Sequence, residues 1–125
     1  MTTLNSPSNT PFDPMKFLKA AENLAKEEDE CSLRIAVGRS YYALFLLARE
    51  KLKVLAIDNV HTAVLQAMGR RDRKMKNLLF ELHRLRKVAD YELIPLLNKD
   101  SNWKANWIRH KKLCDKLLPQ LHRLQ

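Results

Sequence analysis

The chain has 125 residues, of which 46% are apolar, and it carries a formal net charge of +9. This length fits one domain with a core of its own, and this apolar fraction excludes an intrinsically disordered chain. Because only two residues are glycine and no alternating strand pattern with hairpin turns is found, we expect an all-α fold.

The first half of the chain predicts two helices after a polar lead-in. Residues 1–12 are rich in Ser, Thr, Asn and Pro, which is typical of a flexible segment. Asp13 before Pro14 predicts a helix start, since the carboxylate can cap backbone N–H groups and proline is tolerated in the first turn. A second helix is predicted over about 31–54. It is apolar on nearly all sides, so we expect it at the centre of the fold.

The second half predicts three more helices. A short helix over 60–68 is expected to end at Gly69, a common residue after a helix C-terminus. A fourth helix is predicted over about 72–89. The last helix is expected to begin after a cap at Asp100 or Ser101 and to reach almost to the end of the chain. Short connections favour antiparallel neighbours, and hence an up-and-down bundle of four to five helices.

The bundle is predicted to be one domain over 13–125, and several classes of protein do not fit it. No run approaches the ~18 apolar residues of a membrane span, and the N-terminus lacks the features of a secretory signal. Cys31 and Cys114 stand alone and are expected as reduced thiols in a cytoplasmic protein. The sequence has no metal-ligand spacing and no glycine-rich phosphate loop, so neither a metal nor a cofactor is expected.

The positive charge is confined to the second half of the chain. Residues 1–69 carry eight basic and eight acidic residues, whereas residues 70–125 carry fifteen basic and six acidic residues. Clustered base favours a polyanion as partner, although a solvated helix face is the alternative. The candidate RNA-binding residues are Arg39, Arg70, Arg71, Arg73, Lys74, Lys76, Arg84 and Lys87.

Two arginines border apolar stretches and are candidates for a site. Arg86 and Tyr91 end the fourth helix, where a guanidinium beside a phenol could hold a phosphate and stack a base. The alternative is that Arg86 pairs with a nearby acid, Asp90 or Glu92. Arg39 precedes a Tyr-Tyr pair in the apolar second helix and is therefore expected to be buried. A buried arginine needs a partner, either Glu22 of the first helix or a polar site shared with Arg86.

These two segments together resemble the HEPN superfamily. The second helix fits R-x-YYA-x-F through Arg39, Tyr41, Tyr42, Ala43 and Phe45. The fourth fits R-x-x-A-D-Y through Arg86, Ala89, Asp90 and Tyr91. The resemblance implies a dimeric helical bundle. It also implies either metal-independent ribonuclease activity, as in toxin–antitoxin and defence systems, or binding of RNA or a nucleotide without cleavage.

The chain departs from the resemblance at the catalytic motif. Active members carry Arg-x4–6-His, but here Tyr91 stands where the histidine would be. A phenol titrates near pH 10 and is a poor base at neutral pH, so cleavage would need either His83, one turn before Arg86, or a strongly perturbed Tyr91. The candidate catalytic residues are Arg86, Tyr91 and His83.

A second hypothesis makes the chain a non-catalytic accessory subunit. Its partner would be a nucleotidyltransferase-like protein, the antitoxin in a toxin–antitoxin pair. Trp103 and Trp107 would then be interface anchors, because tryptophan is enriched at binding hot spots. The alternative for both tryptophans is packing in the core.

Overall fold

A computed structural model describes residues 11–124, and within them the chain is all-helical, as predicted. Five α-helices and a 3-10 turn follow one another without a strand in this range. The two short interhelical connections and two longer ones allow the helices to pack as a bundle. The helices are α1 (Met15–Ala25), α2 (Glu30–Lys51), α3 (Val60–Arg71), α4 (Arg73–Tyr91) and α5 (Trp103–His122); the 3-10 turn is Asn98–Asp100.

Side-chain caps fix where three of the helices begin. Asp29 accepts a 2.8 Å hydrogen bond from the Ser32 backbone N–H at the start of α2. Asp72 does the same for two backbone N–H groups at the start of α4. The cap of α5 is Asn102, so the expectation of Asp100 or Ser101 is wrong. Each cap satisfies backbone donors that a helix N-terminus leaves without partners.

Gly69 does not end α3, contrary to the sequence-based expectation. The helix continues through it to Arg71, and the extended backbone of Asp72 makes the turn into α4. Here the Asp72 side chain caps the next helix at once, which fixes the break three residues beyond the glycine.

α2 is the central helix, as its apolar composition predicted. It packs against α1, α4 and α5, and its Tyr41, Leu44 and Val37 are fully buried. Two clusters of buried side chains lie around it, one toward its C-terminal half and one toward its N-terminal half. Cys31 is exposed and Cys114 is buried, and both are free thiols. Within residues 11–124, no helix is both long enough and apolar enough to cross a membrane.

Residues 1–10 of the predicted lead-in lie outside the described residues. The end of that segment is described, and there the Phe12 ring packs at 4.8 Å, centroid to centroid, on the Phe17 ring of α1. Phe12 nevertheless remains about half exposed.

Candidate functional site

Arg86 lies in the last part of α4 with its guanidinium near two tyrosine rings. Its Nη2 donates a 2.7 Å hydrogen bond to the Tyr42 hydroxyl of α2. The guanidinium carbon is 5.0 Å from the centre of the Tyr42 ring and 5.9 Å from that of Tyr91. A guanidinium at this distance from an aromatic face is attracted by the ring quadrupole. We call the surface formed by Tyr42, Arg86 and Tyr91 the Arg86 site.

Asp90 approaches the same guanidinium from one helical turn further along α4. Arg86 Nε lies 2.9 Å from Asp90 Oδ2, so the two side chains form an ion pair. Nε is nevertheless buried without a hydrogen bond, because its N–H is not aligned with that contact. The ion pair with Asp90 and the proximity to Tyr91, which the sequence posed as alternatives, are both present.

The Arg86 site is open on one side. Tyr91 is 73% exposed, whereas the Arg86 side chain is 13% exposed. A planar ring or an anion arriving from solvent would therefore meet Tyr91 first and reach the edge of the guanidinium beside it.

Arg39 is exposed, so the expectation of a buried arginine is wrong. Its neighbours in sequence, Gly38 and Ser40, face the core instead. The Arg39 guanidinium carbon lies 5.5 Å from the Phe17 ring centre and 5.6 Å from that of Tyr42. The expected partner Glu22 is paired with Lys111 at 3.0 Å. Arg39 is thus next to the Arg86 site through Tyr42, on which both guanidinium groups lie.

Two histidines from different helices stack beside Tyr41. His61 of α3 and His83 of α4 are nearly parallel, with ring centroids 4.8 Å apart. The Tyr41 ring stacks on both, at 5.6 Å from His61 and 5.1 Å from His83. The Tyr41 hydroxyl is 2.7 Å from His61 Nδ1. We call His61 and His83 the histidine pair.

The surroundings keep the histidine pair neutral. Burial, and then the His61, Lys87 and Arg86 charges, lower the pKa of His83 to about 4. Burial followed by the Arg86 charge also lowers the pKa of His61. Burial raises the pKa of Tyr41 above its usual range, so its hydroxyl stays protonated. The hydroxyl therefore donates to His61 Nδ1, which places the imidazole hydrogen on Nε2.

The predicted basic residues divide between two ends of α4. Lys87 lies one residue after Arg86 and is exposed, and Arg39 adjoins the same site across Tyr42. The remaining exposed group surrounds the turn between α3 and α4, more than ten residues earlier along α4. This group is Arg70, Arg71, Arg73 and Lys74, with Lys76 half-buried beside them.

Arg84, another candidate for RNA contact, is bound to carboxylates of the chain itself. It forms two hydrogen bonds with Glu81 and two with Asp100, at 2.8–3.2 Å. Asp100 is 1% exposed and also pairs with Arg109 at 2.9 Å. Hydrogen bonds from Arg84 lower the pKa of Asp100, so the carboxylate stays charged. This network ties the loop before α5 to α4.

Two residues that matter for the site were not singled out from the sequence. His61 was noted only as lacking metal-ligand spacing, and no periodicity connects a residue of α3 with one of α4. Arg34 is one of several charges in the largely apolar second helix, and nothing in the local sequence indicates its distant partners. It donates to the carbonyl oxygens of Val88, Ala89, Glu92 and Leu93 and lies 4.5 Å from the Trp103 ring centre. The helix end that carries Tyr91 is held in place by these bonds.

Comparisons of the chain with family models, curated proteins and solved structures find no match. The resemblance to the HEPN superfamily therefore stays a prediction, and a function has to be argued from the site.

Proposed function

We propose that this protein binds RNA or a nucleotide at the Arg86 site. The observation that carries the proposal is the placement of the Arg86 guanidinium beside an exposed tyrosine ring, with two more cations next to it. A guanidinium suits phosphate oxygens, and an exposed aromatic ring suits the face of an unpaired base. Lys87 and Arg39 add positive charge on either side of the same surface.

The ion pair with Asp90 is compatible with this role. Asp90 forms an ion pair with Arg86 at 2.9 Å, while Nη2 donates to the Tyr42 hydroxyl. These contacts fix the plane of the guanidinium, and a fixed donor loses less entropy when it binds an anion. Arg86 is thereby positioned rather than neutralised.

The histidine pair adds the groups needed for metal-independent cleavage of RNA, in the manner of an endoribonuclease toxin. A neutral His83 can take the proton of the 2′-hydroxyl as that oxygen attacks the adjacent phosphorus, although a pKa of about 4 makes it a weaker base than an ordinary imidazole. The bond from phosphorus to the 5′-oxygen then breaks, and the leaving oxygen takes a proton from solvent. Arg86 would stabilise the charge on the phosphoryl oxygens. The products would be a 2′,3′-cyclic phosphate and a free 5′-hydroxyl end.

Binding is tested with a fluorescent RNA oligonucleotide and a mononucleotide at low salt. We expect Arg86→Ala and Tyr91→Ala each to weaken binding at least about tenfold, consistent with the loss of a charge-assisted hydrogen bond or a stacking contact. Arg123→Ala, on an exposed arginine at the end of α5, is the matched control. Because Tyr91 is exposed, its substitution should leave the fold intact. Unchanged binding by Tyr91→Ala and Arg86→Ala would refute the site.

Cleavage is tested separately, with end-labelled RNA in EDTA. Products that are made by the parent chain and lost in His83→Ala would establish catalysis by the histidine pair. If the parent binds RNA but leaves it uncut, the protein is a binding protein and the catalytic half of the proposal is wrong.

The exposed apolar loop after Tyr91 favours a second candidate function, contact with another protein chain. Leu93, Ile94 and Leu96 are 94%, 84% and 86% exposed, an arrangement that favours burial by a partner. A second copy would give a homodimer in which Arg86 and Tyr91 of both chains line one cleft. A nucleotidyltransferase-like antitoxin would make this chain an accessory subunit. Trp103 is 5% exposed and belongs to the chain's own core, so it is not an interface anchor; Trp107 is half-buried beside it.

Light scattering and co-purification separate these possibilities. A dimer mass that falls to a monomer in Leu93→Asp would establish self-association through the loop. A stoichiometric second protein that is lost in the same variant would establish the accessory role. A monomer that purifies alone, with or without nucleic acid, would exclude both roles for the loop.

A further inference from the structure

α4 carries one line of side chains on the side away from most of its buried residues, and this line is exposed except at the half-buried Lys76. At about 100° per residue, positions 73, 76, 80, 87 and 91 fall within an arc of about 60° around the helix. The buried residues of α4 before Arg86 are centred on the opposite side: Met75, Leu79, Leu82 and Leu85. We call the outward line the α4 outer stripe; its members are Arg73, Lys76, Phe80, Lys87 and Tyr91.

The α4 outer stripe combines three cations with two exposed aromatic rings. Phe80 is 54% exposed and Tyr91 is 73% exposed. The acids of α4 lie to either side of the stripe, where Glu81 is held by Arg84 and Asp90 by Arg86. The stripe itself is therefore positively charged, with an apolar ring near its middle that the fold does not bury.

We propose that the α4 outer stripe binds a single strand of RNA, with Phe80 as a second platform on which a base stacks. The inference rests on the proposed function and extends it from one nucleotide to a polymer. α4 rises about 27 Å from Arg73 to Tyr91. A stacked strand rises about 3.4 Å per nucleotide, so the stripe matches on the order of eight nucleotides.

The chemistry of the stripe favours a single strand over a duplex and over a protein. Aromatic side chains stack on the faces of unpaired bases, and in a duplex those faces are already stacked. The lysines and the arginine flank Phe80 along the helix and do not form one cluster. A protein partner would need carboxylates on both sides of an apolar pocket for Phe80. Each nucleotide of single-stranded RNA supplies both a negative charge for the cations and a flat base that can stack on Phe80.

The test measures affinity as a function of strand length by fluorescence anisotropy. Single-stranded RNAs of two, four and ten nucleotides are compared with a ten-base-pair RNA duplex and a ten-nucleotide DNA. We expect Phe80→Ala to weaken binding of the ten-nucleotide strand about 5- to 50-fold and to leave the dinucleotide unchanged. Phe80→Trp should restore the affinity. Ile108→Ala, on an exposed apolar residue of α5, is the matched control.

The results separate this inference from the proposed function. Loss of all binding in Arg86→Ala with no effect of Phe80→Ala would leave the Arg86 site standing and overturn the stripe. Equal affinity for two and ten nucleotides, or tighter binding of the duplex, would also overturn it. A parent chain that binds no oligonucleotide would overturn both. Preference for DNA over RNA would overturn RNA as the ligand of the stripe. A changed oligomeric mass in Phe80→Ala would assign Phe80 to a protein interface instead.

Discussion

His110 is a buried histidine whose ionisation is coupled to folding. Its Nε2 lies 3.3 Å from the Leu82 carbonyl oxygen and its Nδ1 lies 2.9 Å from Ser40 Oγ. Donation to the carbonyl places a hydrogen on Nε2, and the Ser40 hydroxyl, which lies beside Nδ1, also donates to the Val37 carbonyl oxygen at 3.1 Å. Burial lowers the pKa of His110 to about 4, so the ring is neutral in the folded chain.

We expect acid to destabilise the protein through His110. The folded pKa is below the ordinary value of 6.5, so the unfolded chain takes up the proton first as the pH falls. The contribution of His110 to the free energy of unfolding should be constant above about pH 6.5 and fall by about 3 kcal/mol between that pH and 4, and the lowered pKa of His83 should add to the loss. Urea unfolding at a series of pH values measures this loss. His110→Gln should be less stable at pH 7.5 but lose less on acidification, whereas exposed His122→Gln should follow the parent. A variant with the full pH dependence of the parent would contradict the assignment.

Arg39 and His61 show which parts of the site could not be predicted from sequence. α2 is apolar on nearly all sides, so its composition does not indicate which positions face solvent. Arg39 is one of several exposed positions, while Gly38 and Ser40 are buried. His61 meets Tyr41 and His83 only because three helices converge, a consequence of packing that no spacing along one helix encodes. Arg86 and Tyr91, five residues apart on one helix, were within reach of a sequence argument.

At the scale of the elements, α4 is held at its C-terminus by a side chain of α2. Arg34 Nη1 donates to three of the four carbonyl oxygens, at 2.8–3.4 Å, and the guanidinium lies over the Trp103 ring. The last carbonyls of a helix have no partner within the helix, so Arg34 replaces the missing donors. The bonds also fix the start of the exposed apolar loop after Tyr91.

We expect Arg34→Ala to release the end of α4. The loss of hydrogen bonds from a half-buried charge should lower the free energy of unfolding by about 2–3 kcal/mol. Hydrogen exchange should accelerate over residues 88–97 and change little in α3. Arg34→Lys keeps the charge but offers a smaller donor set, so an intermediate loss is expected. Unchanged exchange over 88–97 in Arg34→Ala would show that the loop is held by other contacts.

Gly69 gives a prediction of the opposite sign. A Cβ built at this position would lie 2.8 Å from Lys76 Cδ, and a lysine side chain can move away at little cost. Alanine is the better helix former, so Gly69→Ala should stabilise the protein by about 0.5–1 kcal/mol. Thermal unfolding of Gly69→Ala in the parent and in a Lys76→Ala background measures this. A loss of stability that persists without Lys76 would contradict a continuous α3.

At the scale of the whole molecule, the helical class and the central place of α2 were predictable. Few glycines and no alternating strand pattern indicate the class, and an apolar surface on nearly all sides indicates the central helix. The helix boundaries were less predictable. Gly69 is a common residue after a helix end and Asp100 is a common cap, but neighbouring residues prevent both roles here. Asp72 fixes the turn after α3, and Asp100 is drawn into the ion pairs with Arg84 and Arg109. A residue with several possible partners is assigned by the fold rather than by its local sequence.

The uneven charge of the chain leads to a prediction about salt. If four cations contact phosphates, namely Arg73, Lys76, Arg86 and Lys87, the logarithm of the binding constant for single-stranded RNA should fall with the logarithm of salt concentration at a slope of about −3.

Arg73→Ala combined with Lys76→Ala should reduce that slope to about −1.4 for a ten-nucleotide strand, because two phosphate contacts are lost. The slope for a dinucleotide bound at the Arg86 site should not change, since Arg73 and Lys76 are more than one helical turn away. Lys112→Ala combined with Lys116→Ala removes the same charge from exposed positions of α5 and is the control. Anisotropy titrations between about 50 and 200 mM salt measure the slopes for the parent, the double variant and the control. Equal slopes for the double variant and the parent would mean that the positive charge of the second half does not track a nucleic acid backbone along α4.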